Sequence, residues 1–120
     1  MKVIIAGGRD FDDYEKLRTY CDHILEDQTD IEIVSGTAKG ADHLGERYAI
    51  EKGYKTTRFP ADWSKGKSAG YIRNEEMAKY GDALIAFWNG KSKGTGHMID
   101  LAEKYKLKIR IYNYGMDNKN

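Results

Sequence analysis

Three short segments bring glycine, hydroxyl and charged residues together in patterns that suit a phosphate ester. The richest is Asn89, Gly90, Lys91, Ser92, Lys93, Gly94, Thr95 and Gly96, which follows an apolar run and leads into a helical pattern. A loop of this composition at a helix start offers free backbone N–H groups, hydroxyls and positive charge together, the combination that holds an anion. Ser35, Gly36, Thr37, Ala38, Lys39, Gly40, Ala41 and Asp42 repeat the chemistry after a second apolar run. Gly7, Gly8, Arg9 and Asp10 follow the first. Two glycines let the backbone turn sharply and approach a ligand, but they fall short of the dinucleotide fingerprint, and no acidic ribose reader stands at the usual distance. Asp10 and Asp42 sit at strand-end turns, where a carboxylate can take ribose hydroxyls, a metal–nucleotide complex or only its own backbone.

Between these loops stand residues with more than one use. Arg73, with Asn74 beside it, can clamp a phosphate or carboxylate through two nitrogens, or simply pair with Glu76 or Glu46 at the surface. Trp63, in a stretch rich in lysine and serine, can cap the edge of the core or serve as a stacking plate for a base. Of Lys91 and Lys93, one at most needs to point inward. His97, in the first turn of the last helix, could act as an acid or orient a leaving group, with Arg73 as its partner in any catalysis. No activated nucleophile or second carboxylate stands beside it in sequence. His23 and His43 read as ordinary polar positions, and three histidines with one cysteine lack metal-ligand spacing, so no metal is expected.

These residues need a frame, and the apolar pattern supplies one. Short strands are expected at Val3 to Ala6, Ile31 to Val34, Thr56 to Phe59, Ala83 to Trp88 and Lys108 to Tyr112. Helical spacing appears in Leu17, Tyr20, Cys21, Ile24 and Leu25, behind a capping box of Asp12 and Glu15. It appears again in Ala41, Leu44, Gly45, Tyr48 and Ala49, stopped by Gly53, then from Ala69 to Tyr80, and in Met98, Leu101, Ala102 and Tyr105. Pro60 to Ser68 is expected to be a long polar loop. Alternating strands and helices predict an α/β fold, a Rossmann-like three-layer αβα sandwich around a parallel sheet. The first and fourth strands read as buried on both faces and the third and fifth as edges, which predicts the order 3-2-1-4-5. Ligands bind such sheets where the order reverses, here between strands one and four, and the glycine-bearing loops all open toward that crevice.

The bulk properties narrow the possibilities. With 120 residues the chain should form one domain, over residues 1–113, followed by a tail at 114–120 whose glycine, asparagine and lysine predict disorder. Twenty Lys and Arg against nineteen Asp and Glu leave a formal charge of +1, so no global field draws the chain to duplex DNA. The single cysteine, Cys21, falls on an apolar helical stripe, where a buried thiol is expected and no disulfide is available. The apolar start is too short for a secretory signal and nothing later reaches a membrane span, so a cytoplasmic protein with no membrane partner is expected.

Several of these runs match known patterns. Ser35 to Asp42, SGTAKGAD, resembles the SG-x-A-x-G-x-D motif of the Rossmann-like domain in DprA/Smf proteins. Arg73 to Met77, then Asp82-Ala-Leu-Ile-Ala-Phe87 and Gly94-Thr95, is similar to the Arg-x-x-x-Met, DA-x-IA and PGG-x-GT pattern of LOG-type nucleoside-monophosphate phosphoribohydrolases. With Gly7 to Asp13 and Trp88 to Thr95, the chain resembles a small stand-alone member of the SLOG (Smf/DprA-LOG) superfamily, in its YspA, YpsA-related branch. The resemblance implies a nucleotide-binding domain with Gly7, Gly8, Ser35, Gly36, Gly94 and Thr95 in the cradle. Arg73 matches the arginine that LOG-type enzymes use at their active site, whereas the position of their glutamate is Met98, which neither positions water nor stabilises an oxocarbenium-like state. The resulting expectation is a module that binds or senses a nucleotide or nucleotide-derived ligand, an ADP-ribose-type molecule among the candidates, with no further cofactor. The alternatives are a nucleotide N-glycosidase using Arg73 with His97 or Asp10, and single-stranded DNA bound over the lysine loops and Trp63. Family analogy further implies a homodimer formed through helices.

Overall fold

Val3–Ala6 and Ala83–Phe87 contain no polar side chain, and all nine are less than a tenth exposed, as strands covered on both faces require. In the computed structural model, which describes residues 1–115, they form the paired centre of the sheet. Strands β1 (Lys2–Gly7) and β4 (Ala83–Trp88) run parallel, in register from Val3 beside Ala83 to Gly7 beside Phe87. Outside β1 lie β2 (Glu32–Ser35) and β3 (Lys55–Arg58), and outside β4 lies β5 (Lys108–Asn113). The order is β3-β2-β1-β4-β5, as predicted from burial. The edge strands carry the charges: β3 reads KTTR and β5 KIRIYN, and neither has a fully buried residue.

Alternation along the central strands divides the core in two. Val3, Ile5, Ile33, Ile85 and Phe87 face α1 (Tyr14–Leu25) and α2 (Ala41–Lys52), which contribute Leu17, Cys21, Tyr48 and Ala49. Ile4, Val34, Leu84 and Ala86 face α3 (Ala69–Tyr80) and α4 (Lys93–Lys104), which contribute Met77, Met98, Leu101 and Ala102. Each fully buried Ile or Leu is worth about 1.5–3 kcal/mol of transfer free energy, so the two faces carry comparable weight. The result is the three-layer sandwich. Gly53, at φ 75, terminates α2 with its amide on Ala49 and Ile50 carbonyls.

Three local expectations are corrected. Asp13, not Asp12, caps α1, accepting from the Lys16 amide at 3.0 Å. Phe11 is buried and stacks on Phe87 at 4.9 Å between centroids, which pins the chain there and moves the helix start one residue on. The polar loop after β3 contains a 3₁₀ segment, Trp63–Ser68, capped by Asp62 and kinked at Gly66 (φ 83). Tyr114, the first residue of the tail expected to be disordered, is packed on the fold: its amide donates to the Trp88 carbonyl at 3.0 Å and its ring lies 4.9 Å from that of Phe11. The rest of that expected tail, from residue 116 on, lies outside the described residues. Among those described, no helix is long and apolar enough to cross a membrane.

Candidate ligand-binding site

The carboxyl ends of β1 and β4 open into a cleft of about 230 Å³. Its near wall is set by the first two loops. The Gly8 amide donates to the Phe87 carbonyl at 3.0 Å, and the Gly8 carbonyl accepts from Phe11 at 3.3 Å and Ala41 at 3.2 Å. That carbonyl lies so close to Gly40, which has φ 77, that a Cβ there would sit 2.2 Å from it. Gly40 is therefore needed both for its left-handed backbone and for its missing side chain. It locks the start of α2 onto the end of β1.

Locking α2 there carries Asp42 into the cleft wall with 5% of its surface exposed. Its Oδ2 accepts from the Ala38 amide at 3.3 Å, and the Gly7 amide also supports the carboxylate. Burial pushes its pKa up to about 6, against the pull of the Ala38 amide and the nearby Arg73 guanidinium. Arg73 reaches across from α3: Nη1 donates to the Gly36 carbonyl, and Nε donates to Asn74 Oδ1 at 3.0 Å. Burial lowers its pKa from the usual value and Asp42 opposes the shift, so the group remains a cation. Asp42 and Arg73 flank Gly36, where a Cβ would meet Asp42 Oδ2 at 2.8 Å and Arg73 Nη1 at 2.9 Å. Arg73 thus contacts neither Glu46 nor Glu76; Glu46 pairs with Arg58 at 3.0 Å and accepts from Ser35 Oγ at 2.6 Å.

The far wall comes from α3 and α4. Asn74, 7% exposed, places its amide nitrogen 3.4 Å from the Gly94 carbonyl and 3.3 Å from His97 Nδ1. One side chain therefore spans both helices and steadies Arg73. Ser92 caps α4, with its Oγ 3.4 Å from the Thr95 amide and 3.2 Å from Thr95 Oγ1. By helix geometry the amides of Lys93 and Gly94 have no intrahelical acceptor. Trp63 and Tyr71, 57% and 48% exposed, stand at the mouth. A second hollow of about 340 Å³ adjoins the first and shares Arg9, Ala38, Trp63 and Arg73 with it.

Most of the residues singled out in sequence gather here, though in different roles. Gly7, Arg9, Asp42, Trp63, Arg73, Asn74, Ser92, Gly94 and Thr95 line the main cleft, and Gly36 and Thr37 line the adjoining one. Thr37, β-branched, holds φ 65, with its amide on Ser35 Oγ at 3.0 Å. Gly8, Ser35 and Gly40 act from behind, as struts of the loops. The remainder stand outside. Asp10 accepts from the Tyr114 hydroxyl at 2.6 Å. Asn89 Oδ1 caps its own turn, accepting from the Lys91 and Ser92 amides at 2.8 and 2.9 Å, while the Lys91 side chain is exposed. Gly94, Thr95 and Gly96 belong to the first turn of α4 and not to a free loop, and Gly96 packs on Trp88, whose ring would be 3.3 Å from a Cβ there. His97 lies behind Asn74, its ring 4.4 Å from that of Tyr71.

Sequence reasoning missed Lys67, in the 3₁₀ segment, and Gly70 and Tyr71, at the start of α3, all of which line the cleft. An aromatic two residues before Arg73 was the available signal for Tyr71. Met98, 2% exposed, also lines the cleft, so an apolar side chain sits where the LOG resemblance would place a glutamate.

A family model described as YspA, cpYpsA-related SLOG matches residues 1–66, which include the Gly7–Gly8 turn, the Ser35–Asp42 segment and Trp63. The Gene 61 protein of Mycobacterium phage D29 is 34% identical over 122 residues, spanning 95% of this chain and 96% of its own. The chain belongs to the YspA, cpYpsA-related SLOG family. Among solved structures it is similar to DNA processing protein A from Helicobacter pylori, with a TM-score of 0.69 and 20% identity over 92% of this chain. That protein was described for its single-stranded DNA binding mode, and the SLOG chain spans 64% of its length. At this identity the likeness concerns the fold, a Rossmann-like SLOG domain.

Proposed function

We propose that this SLOG domain binds a nucleotide or nucleotide-derived ligand, such as an ADP-ribose-type molecule, at the β1–β4 switch point. The observation that carries the reading is Arg73: a guanidinium from α3, bonded to the Gly36 carbonyl and to Asn74, fixed in a cleft whose mouth bears exposed Trp63 and Tyr71. A held guanidinium loses little freedom on meeting a phosphate and adds charge-assisted bonds. The first-turn amides of α4 supply further donors to the same anion. An exposed indole supplies a face for a base, worth about 1–3 kcal/mol where stacking occurs. The two adjoining hollows, about 230 and 340 Å³, only together reach well into the ~300–1,000 Å³ of sites that enclose small organic ligands.

Met98 and the engagement of His97 with Asn74 favour binding over hydrolysis of the N-glycosidic bond. The test is a thermal-shift and calorimetric titration with AMP, ADP, ADP-ribose, NAD and a short oligonucleotide, on wild type and Arg73→Ala, with recovery of the ligand afterwards. A binder gains stability with occupancy. Saturable binding of one nucleotide, lost in the variant and with the ligand recovered intact, supports the reading. Released base would make the protein an enzyme. Binding of the oligonucleotide alone, weakening steeply with salt, would replace the reading with nucleic-acid binding.

A further inference from the structure

Among the described residues, every charged group lining the main cleft is a donor except one. Arg9, Lys67 and Arg73 are cationic, Asn74 is bonded to Arg73 and across to α4, and Ser92 and Thr95 are bonded to each other in the α4 cap. Asp42 alone offers a carboxylate. A phosphate cannot use it, because two anions repel; what it can receive is an O–H or N–H donor of the ligand. Nor is it a surface charge free to turn away. It is 5% exposed, supported by the Ala38 and Gly7 amides, and its Oδ2 and Arg73 Nη1 lie 2.8 and 2.9 Å from where a Cβ on Gly36 would stand. An ionised carboxylate has about four acceptor positions, so two amides leave capacity for a ligand donor.

We propose that Asp42 accepts the ribose 2′-hydroxyl of a ligand whose phosphate lies on Arg73, so that the cleft selects ribonucleotides over 2′-deoxyribonucleotides. This rests on the nucleotide-binding reading and specifies the sugar. A 5′-phosphate and the ring hydroxyls leave a ribose in different directions, and an anion site and an acceptor site a few ångströms apart fit that separation. The specificity arises because a deoxy sugar leaves the buried carboxylate without the donor that replaces its water, a costly omission in a site built for a hydroxyl.

The experiment is isothermal titration calorimetry of wild-type protein near neutral pH with AMP, GMP, CMP and UMP and with the 2′-deoxy form of each. For whichever base binds, the ribonucleotide should bind about 10- to 100-fold more tightly than its deoxy partner. Asp42→Asn, which removes one acceptor oxygen and the charge, should lower that ratio toward one, an effect that a purely structural aspartate would not produce. The wild-type ratio needs no variant, so a poorly folded Asp42→Asn leaves the test intact. Equal binding of ribo and deoxy forms, abolished for both by Arg73→Ala, would overturn the role of Asp42 and leave nucleotide binding standing. Absence of binding by every member of the panel, and by ADP, ADP-ribose and NAD in the same titration, would overturn both.

Discussion

Replacing Gly36 by alanine should separate the job of Arg73 from the stability of the fold. Gly36 does not occupy the left-handed region, so its backbone accepts alanine, and the cost arises at the new methyl group. That carbon would lie 2.8 Å from Asp42 Oδ2, 2.9 Å from Arg73 Nη1 and 3.2 Å from Arg73 Cζ. Asp42 is pinned by the Ala38 amide on a helix that cannot shift; Arg73 is the far end of a flexible side chain and must yield. Its bond to the Gly36 carbonyl, worth about 1.5–3 kcal/mol as a charged hydrogen bond, is lost. Against this, alanine restricts the unfolded chain and returns about 0.4–1 kcal/mol. The net destabilisation is about 1–2 kcal/mol, or a fall in Tm of about 4–10 °C for a domain of this size. Urea denaturation and nucleotide calorimetry should show this modest loss together with an affinity drop of at least about tenfold. Gly94→Ala is the stability control: a Cβ there meets nothing within 4 Å, so the helix should gain about 0.5–1 kcal/mol. A Gly36→Ala protein with undiminished nucleotide affinity would refute the placement of the guanidinium as the anion's partner.

The other predictions test neighbouring parts of the same construction. Gly40→Ala combines φ 77 with a Cβ 2.2 Å from the Gly8 carbonyl, a backbone atom that cannot step aside, and should cost about 3 kcal/mol or more in urea denaturation. Gly53→Ala has a similar φ of 75 but open space around it and should cost about 1 kcal/mol. Burial raises Asp42 from its ordinary 3.8 to about 6, so protonation favours the folded state; that contribution is complete below 3.8 and lost as pH rises through about 6. Glu32 works the other way, held low chiefly by the Thr57 hydroxyl, its stabilisation present above 4.5 and lost as pH falls. Asp42→Asn removes only the first contribution, so its stability relative to wild type should improve by about 2–3 kcal/mol as denaturation midpoints are followed from about pH 4 to about pH 7. Trp63→Ala, at a position 57% exposed, should change stability by no more than about 0.5 kcal/mol while weakening nucleotide binding by about 1–3 kcal/mol in calorimetry. Equal losses in both would make Trp63 a structural residue.

The frame was legible because it follows from short-range regularities. The unbroken apolar runs at Val3–Ala6 and Ala83–Phe87 admit only a doubly covered strand, and the alternating charges of β5 admit only an edge, so the sheet order follows. Ala69–Tyr80 and Ala83–Trp88 are bounded in the structure where composition bounded them. Caps were less legible: Asp12 and Asp13 are chemically identical candidates, and the choice fell to the buried ring of Phe11 stacking on Phe87, a contact 76 residues away in the chain.

The site was legible as a place and not as an arrangement, and the difference lies in sequence distance. Loop composition identified where anion-binding chemistry could gather, since glycines and hydroxyls advertise themselves locally. Which side chain then turns inward depends on partners that local pattern does not reveal. Asn89 has all the chemistry of a ligand residue, yet its two nearest amides satisfy it first. Asp10 is claimed by Tyr114, 104 residues away. Asp42, in contrast, is left with a cleft to face because α2 is seated by contacts between Gly40 and Gly8, and Arg73 meets it there only because position 36 has no side chain. Three glycines, at positions 8, 36 and 40, therefore determine that a cation and a carboxylate share one cleft without closing into a salt bridge. A phosphate alone would need only the cation. Keeping an anion beside it, buried and costly, makes physical sense where the ligand brings a donor as well as a charge.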